Sequence, residues 1–371
     1  MGSPIAIVGA TGVTGTFAFD EAEERGVEPL AIGRNAAKLE AFLQTRGLGR
    51  ERLRVADVHD APALRKAIEG VSVVISTVAP FSDNGFPVAR TAAELGIGYT
   101  DSTGEGEFMR RVIDELDAVA QKSGATLCTG NGAAAFIGDV AMRWLTDRRT
   151  DSTGALLYDI RNYKPSFGTT ESYLKYIMPG GGALVREGRV YFKPFASFGG
   201  YVAGVSGFHS VVPDPLVISR YWPARRIEAY FRAPSYLRPV VSAFTALLLW
   251  SPLRNMVFRL PLRRWLAYDA AADLKSTVTV MAEFQDAAGA VQRRQLRGRA
   301  IYPLTGKVLV STAQAMLQHT RPAGVRAASE MFTSLEQALN LSGLQEIPLQ
   351  DTDTPRESLA RCVAPGVASM S

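Results

Sequence analysis

Short apolar runs separated by mixed, amphipathic stretches dominate the first third of the chain. Ile5-Ala6-Ile7-Val8 is uncharged and rich in β-branched residues, as a strand buried on both faces should be. Similar runs return at 28–33, 52–57, 71–77, 97–100 and 126–129, and the stretches between them predict helices over 16–25, 61–69, 87–95 and 107–123. Strand and helix in strict alternation predict a parallel sheet with helices on both faces. After Gly130-Asn131-Gly132 the pattern changes. Runs at 155–163, 278–284 and 291–297 read as strands of a mixed sheet, the last two joined by a hairpin at Asp286-Ala287-Ala288-Gly289. Gly180-Gly181-Gly182 and Phe198-Gly199-Gly200-Tyr201 read as mobile loops suited to lids, and 308–318 reads as a helix.

The first run leads straight into Gly9-Ala10-Thr11-Gly12-Val13-Thr14-Gly15. Gly9 lets the chain turn tightly, Gly12 removes the Cβ that would hold a pyrophosphate off the backbone, and Gly15 lets the next helix lie close to the sheet. The N–H groups of that helix start then face the phosphates. No Gly-Lys-Ser/Thr follows, so a P-loop is excluded. The expected class is α/β: an N-terminal Rossmann-type, doubly wound parallel sheet over 1–132 and a second α+β substrate domain over 133–300. Helices over 301–347 should return to the first domain, and a loose polar tail should occupy 348–371.

The end of the second strand decides which dinucleotide fits. An acidic residue there bonds the ribose of NAD, whereas a 2′-phosphate needs a cation. This chain supplies Gly33-Arg34-Asn35 with Lys38 one turn later, which predicts NADP. Asp57 should lie beside the adenine. Thr77, Ala79, Pro80 and Phe81 end the fourth strand at the sheet's carboxyl edge and should line the nicotinamide side, with Asp101 ending the fifth. Val13 and Thr14 complete the expected cofactor contacts.

Composition narrows the setting. Two cysteines, Cys128 and Cys362, are too few for a disulfide framework, and no charged-then-apolar leader precedes the first strand, so a cytoplasmic protein is expected. His59, His209 and His319 are scattered without ligand spacing, so no metal is expected. Between 219 and 268 nine arginines face the single acid Glu228, alongside Trp222, Trp250 and Trp265, and 239–253 is uncharged. Those fifteen residues are short of the roughly 20 that cross a bilayer. The segment reads as a helical insertion that caps an apolar cavity or rests on an anionic membrane surface, its alternative use being an apolar homodimer interface. No nucleic-acid-binding motif accompanies the charge.

Taken together, these motifs resemble the saccharopine dehydrogenase-like oxidoreductases, in particular the branch with trans-acting enoyl reductases. The resemblance rests on Gly9 to Gly15, Gly33-Arg34-Asn35 with Lys38-Leu39, Thr77-Val78-Ala79-Pro80-Phe81 and the Tyr99 to Glu105 segment. Ser166-Phe167-Gly168-Thr169-Thr170-Glu171-Ser172 is similar to the family's Ser/Gly-Thr segment, and Ile301-Tyr302-Pro303-Leu304-Thr305 to its C-terminal signature. Where many relatives carry Gly-Phe-Asp-Ser-x-Pro-Ser-Asp, this chain has Gly132-Ala133-Ala134-Ala135-Phe136-Ile137-Gly138-Asp139, so polar groups give way to alanine. No tyrosine has a lysine four residues on, which separates the chain from short-chain dehydrogenases. The isoflavone-reductase-like proteins lack the 101–105 segment and the aromatic insertion.

The resemblance implies NADPH-dependent hydride transfer to a C=C bond of a small lipophilic, polyketide- or terpenoid-like substrate. Reduction of C=N, as in a saccharopine-type dehydrogenase, is the second reading. A membrane-peripheral or redox-sensing protein that binds NADP without turnover is the third. Glu105, Asn131, Ser166 and Thr169 are the candidate substrate contacts, and Tyr99, Tyr158, Tyr163 and Tyr173 remain open as proton donors.

Overall fold

A computed structural model describes residues 5–146, 148–193, 199–209, 211–237, 239–240, 243, 247, 267–318 and 321–349. Seven parallel strands form the first sheet: β1 (Ile5–Val8), β2 (Leu30–Gly33), β3 (Leu53–Val55), β4 (Val73–Ser76), β5 (Gly98–Asp101), β6 (Thr126–Cys128) and β15 (Gly324–Val325). Their order is β15-β6-β5-β4-β1-β2-β3, so the chain reverses its winding between β1 and β4. Every residue of β1 and β4 is buried, which matches their continuous apolar character. Helices α1 (Val13–Glu24), α2 (Ala36–Gln44), α3 (Ala61–Ile68), α4 (Phe81–Leu95) and α5 (Gly106–Ser123) cover the faces.

The second sheet is mixed, in the order β10-β11-β12-β7-β13-β14-β16. Its members are β7 (Thr153–Arg161), β10 (Gly199–Val202), β11 (Val205–His209), β12 (Arg226–Arg232), β13 (Thr277–Gln285), β14 (Val291–Arg299) and β16 (Gln345–Glu346), with β8 (Gly182–Arg186) on β12 and β9 (Arg189–Lys193) on β8. Helix α6 (Ala133–Arg143) leaves β6 and packs on this sheet, while the helix Ile301–Gln318 packs back against α1. One apolar cluster therefore runs unbroken from Ile5, Ile7 and Phe19 through Phe136 to Tyr158, Trp222 and Phe284.

Four local expectations are corrected. Helix α4 starts at Phe81, well before Pro87, because the Glu105 carboxylate accepts the N–H groups of Phe81 (2.8 Å) and Ser82 (2.7 Å) and satisfies the helix start. Helix α1 likewise starts at Val13, directly on the glycine turn. Gly182 and Gly200 lie in strands rather than in lids. The missing Cβ of Gly200 leaves room for the Tyr230 ring, which explains glycine there without mobility.

The arginine-rich segment is the fourth. Its first part is the end of the helix Asp214–Tyr221 followed by β12, a strand inside the second sheet, and Trp222 is fully buried against Phe284. Arg226 pairs with Glu228 within the segment, while the other acids lie elsewhere in sequence: Arg220 pairs with Asp117, Arg225 with Glu187 and Arg232 with Asp159. Trp250, Trp265 and most of 239–253 lie outside the described residues, as do Cys362, His319 and nearly all of the tail. Among the described residues no helix is long and apolar enough to cross a membrane, and no group of His, Cys, Asp or Glu could hold a metal ion.

Candidate active site

At the carboxyl edge of the first sheet the chain must leave β1 and enter α1 within a few residues. Gly9 does so at φ +87°, with its N–H bonded to the Ile32 carbonyl (2.8 Å). Gly12 N–H closes the turn on the Gly9 carbonyl (2.9 Å). A Cβ on Gly15 would collide with that same carbonyl oxygen, whereas one on Gly12 would meet only the Gly9 oxygen at 3.2 Å. Gly15 is therefore a packing glycine outside the cavity lining, and Gly12 is the one whose bare Cα faces open space. No side chain caps α1, so its first N–H groups are free for an anion.

The turn forms one end of a cavity of about 840 Å³ between the two sheets. Gly9, Thr11, Gly12, Val13, Thr14, Arg34, Asp57, Thr77, Ala79 and Phe81 all line it. Arg34 is exposed at the tip of β2 and has no bonded acid among the described residues. Asn35 and Lys38 are also exposed but do not line the cavity. The Asn35 side chain accepts the Lys38 N–H (2.9 Å) and caps α2, so its duty is local. Pro80, buried behind a cis Ala79-Pro80 bond, is likewise outside the lining.

Four other sequence candidates lie beneath the surface rather than in it. Asp101 is fully buried and accepts the N–H groups of Thr103 and Gly130, each at 2.9 Å; burial raises its carboxyl to about 6. It shapes the Ser102-Thr103-Gly104 turn that does line the cavity. Glu105 is spent on α4, as described. Asn131 donates to the hydroxyls of Thr100 (3.0 Å) and Thr312 (2.9 Å), tying β5 to the helix Ile301–Gln318. The Tyr99 ring is wholly enclosed in the first core, and burial pushes its phenol well above the ordinary value.

The opposite wall comes from the second sheet and the helix that follows it. Ile160, Tyr163, Ser166, Phe167, Thr169, Tyr268, Val278 and Tyr302 line it. Three hydrogen-bonding groups meet at the Tyr302 oxygen: the Ser166 N–H donates to it (2.6 Å), the Thr169 hydroxyl lies at 2.9 Å and the Tyr163 hydroxyl at 3.3 Å. Tyr173 lies outside this lining. Tyr158 is fully buried and reaches the cavity only through Asp214, whose carboxylate accepts its hydroxyl. Gly138 of α6 makes room for that pair, since a Cβ would press on both oxygens. Burial raises the Asp214 carboxyl to about 7 and drives the Tyr158 phenol well upward. The Gly132 to Ala135 start of α6 lines the cavity, while Asp139 turns away to hold the Ser329 N–H (2.8 Å) and hydroxyl (2.7 Å).

Tyr302 and Asp214 were not among the sequence-level site candidates. Tyr302 stands inside the Ile301 to Thr305 motif, so its position had a signal but its role had none. Asp214 sits between two prolines ahead of an apolar helix, and in sequence that reads as a helix start.

A family model described as NAD(P)H-binding matches residues 9–126, the strands and turns that build the near end of this cavity. Over less than half of its length the chain is similar to proteins named saccharopine dehydrogenase-like oxidoreductase and trans-acting enoyl reductase. A probable mitochondrial protein of the first description from Arabidopsis thaliana is 26% identical over 188 residues, covering 45% of this chain and 41% of its own length. The trans-acting enoyl reductase of Mycobacterium ulcerans is 30% identical over 157 residues, covering 41% of this chain and 38% of that protein. A putative trans-acting enoyl reductase of Mycobacterium tuberculosis is 28% identical over 183 residues, covering 47% and 44%. The chain thus matches about two fifths of the length of these curated relatives. Apo saccharopine dehydrogenase (L-Glu forming) from Saccharomyces cerevisiae superposes with a TM-score of 0.55 over 94% of this chain and 100% of that one, at 12% identity, which establishes a shared fold.

Proposed function

We propose that the protein is an NADPH-dependent reductase acting on a C=C bond of a hydrophobic, polyketide- or terpenoid-like metabolite. The observation that carries this reading is the distribution of charge along this cavity. Its single lining arginine, Arg34, stands at the cofactor end, while the far wall offers hydroxyls, apolar side chains and only one ionisable acid, Asp214, among the described residues. An amino-acid substrate needs a cation for its carboxylate, and the described lining of the far wall has none. An apolar acceptor with a single carbonyl suits it better.

The residues present fit a dinucleotide. The glycine turn and the start of α1 would hold the pyrophosphate, Arg34 the 2′-phosphate, Asp57 the adenosine side, and Thr77 to Phe81 with Thr103 the nicotinamide. When bound, the nicotinamide supplies a hydride. The chain's own work is to place the acceptor against the Phe81 side, exclude water with Ile160, Phe167 and Val278, and stabilise oxygen charge from the Tyr302 side.

A panel of apolar enones incubated with deuterated NADPH or NADH tests the reading. We expect saturated products carrying one transferred deuterium, formed faster from NADPH. Tight NADPH binding with no product from any enone would favour the non-catalytic alternative. Turnover only with imines or amino acids would move the reaction to C=N.

A further inference from the structure

We propose that Tyr302 is the proton donor of the reaction, with the Ser166 backbone N–H as the group that positions and stabilises its oxygen. This assignment rests on the reductase reading above. Saturating a C=C bond consumes a hydride and a proton. In the assigned step hydride addition at the β-carbon leaves charge on the substrate's carbonyl oxygen, the Tyr302 O–H bond breaks, its proton forms the new O–H bond there, the electron pair stays on Tyr302 as a phenolate, and the enol returns to the ketone in water.

A phenolate inside a protein survives only where donors surround it. At Tyr302 one donor and two hydroxyls able to donate converge: the Ser166 N–H at 2.6 Å, the Thr169 hydroxyl at 2.9 Å and the Tyr163 hydroxyl at 3.3 Å. The Ser166 N–H is fixed by the backbone and can only donate. Tyr163 keeps its own proton, because burial and the neighbouring Tyr302 hold its phenol well above the ordinary value. The Tyr302 ring is locked as well, lying edge-on to Tyr268 with its own N–H directed at the Asp273 carboxylate (3.3 Å). None of the four tyrosines named from sequence has this arrangement: Tyr99 and Tyr158 are enclosed, Tyr173 is outside the cavity, and Tyr163 meets the Tyr302 hydroxyl but no backbone N–H.

Three variants test the assignment. Tyr302→Phe keeps the ring and should lower enone turnover about 100-fold or more, while NADPH affinity stays within about twofold. Ser166 has φ −69°, a value proline adopts, so Ser166→Pro keeps the backbone angle while its ring Cδ takes the place of the N–H and pushes the Tyr302 oxygen out of its 2.6 Å contact. Ser166→Ala removes only the hydroxyl cap, so Ser166→Pro should be about tenfold slower than Ser166→Ala. A measurement without cofactor completes the set: a saturated apolar ketone should bind Tyr302→Phe roughly three- to tenfold more weakly than the parent by calorimetry, for one lost hydrogen bond. Full turnover in Tyr302→Phe, unchanged ketone affinity, or turnover lost in Asp214→Asn and kept in Tyr302→Phe would each overturn the assignment. A parent enzyme that reduces no enone would overturn the reductase reading and this assignment with it.

Discussion

The two ends of the cavity are built by different means. The near end is made of main chain: three glycines within seven residues, the uncapped start of α1, and one exposed guanidinium at the tip of β2. The far end is made of side-chain oxygens brought together from Tyr163 to Thr169, Tyr268 and Tyr302. A backbone site tolerates changes of chemistry around it but not an added carbon. A hydroxyl site tolerates added carbon at its margins but not the loss of an oxygen. The contrast also explains why the near end can be rigid without any charge network, whereas the far end is braced by Asp273 and the Tyr158–Asp214 pair.

The sharpest break of this contrast lies inside the glycine turn. Gly15→Val should cost about 3 kcal/mol of stability or more, because its Cβ meets the Gly9 carbonyl and neither backbone segment can move away. Gly12→Val should leave the thermal midpoint within a few degrees yet weaken NADPH binding at least about 100-fold, since its side chain enters the phosphate space. Calorimetry and circular dichroism on both variants separate the two outcomes. If Gly12→Val binds NADPH normally, the pyrophosphate does not lie on this turn.

A smaller effect is expected at Arg34. Arg34→Ala should weaken NADPH about tenfold or more and leave NADH affinity unchanged, as the loss of one charge-assisted contact to a phosphate predicts. Equal loss for both cofactors would assign Arg34 to the pyrophosphate and leave the 2′-phosphate without a partner.

The smallest effect sharpens the far end and depends on pH. The buried Asp214 carboxyl titrates near 7 in the folded chain against an ordinary value of 3.8, so the native state binds the extra proton between those values. Its burial is harmless at pH 4, the cost builds as pH rises from about 4 to 7, and it is fully present above 7. Asp214→Asn should therefore raise the melting temperature by a few degrees at pH 8 and by nothing at pH 4.5. A gain that is the same at both pH values would mean that the carboxyl is not held neutral.

How much of this was visible in the sequence follows the same division. The near end was legible because its parts are adjacent: the buried strand, the glycines and Arg34 occupy fixed offsets set by the strand-turn-helix path. Helix α4 was misjudged because the signal that starts it, the Glu105 carboxylate, comes from another strand end and has no local trace. The glycine at 200 reads as a loop for the same reason, since what it accommodates, the Tyr230 ring, is a tertiary neighbour. The arginines of 219–232 looked like an unbalanced patch because three of their acids, Asp117, Asp159 and Glu187, are distant in sequence. Tyr302 was missed because its partners lie 133 to 139 positions away.

Each sheet also ends on a strand from the last part of the chain. Val325 pairs with Leu127 on one and Glu346 with Leu296 on the other, both strands only two residues long. These act as blunt covers over β6 and β14, whose unpaired N–H and C=O rows would otherwise invite another chain. A chain ending near 320 would keep the glycine turn, Arg34 and Tyr302, yet bare both margins at once. Its failure would show first as self-association rather than as lost chemistry.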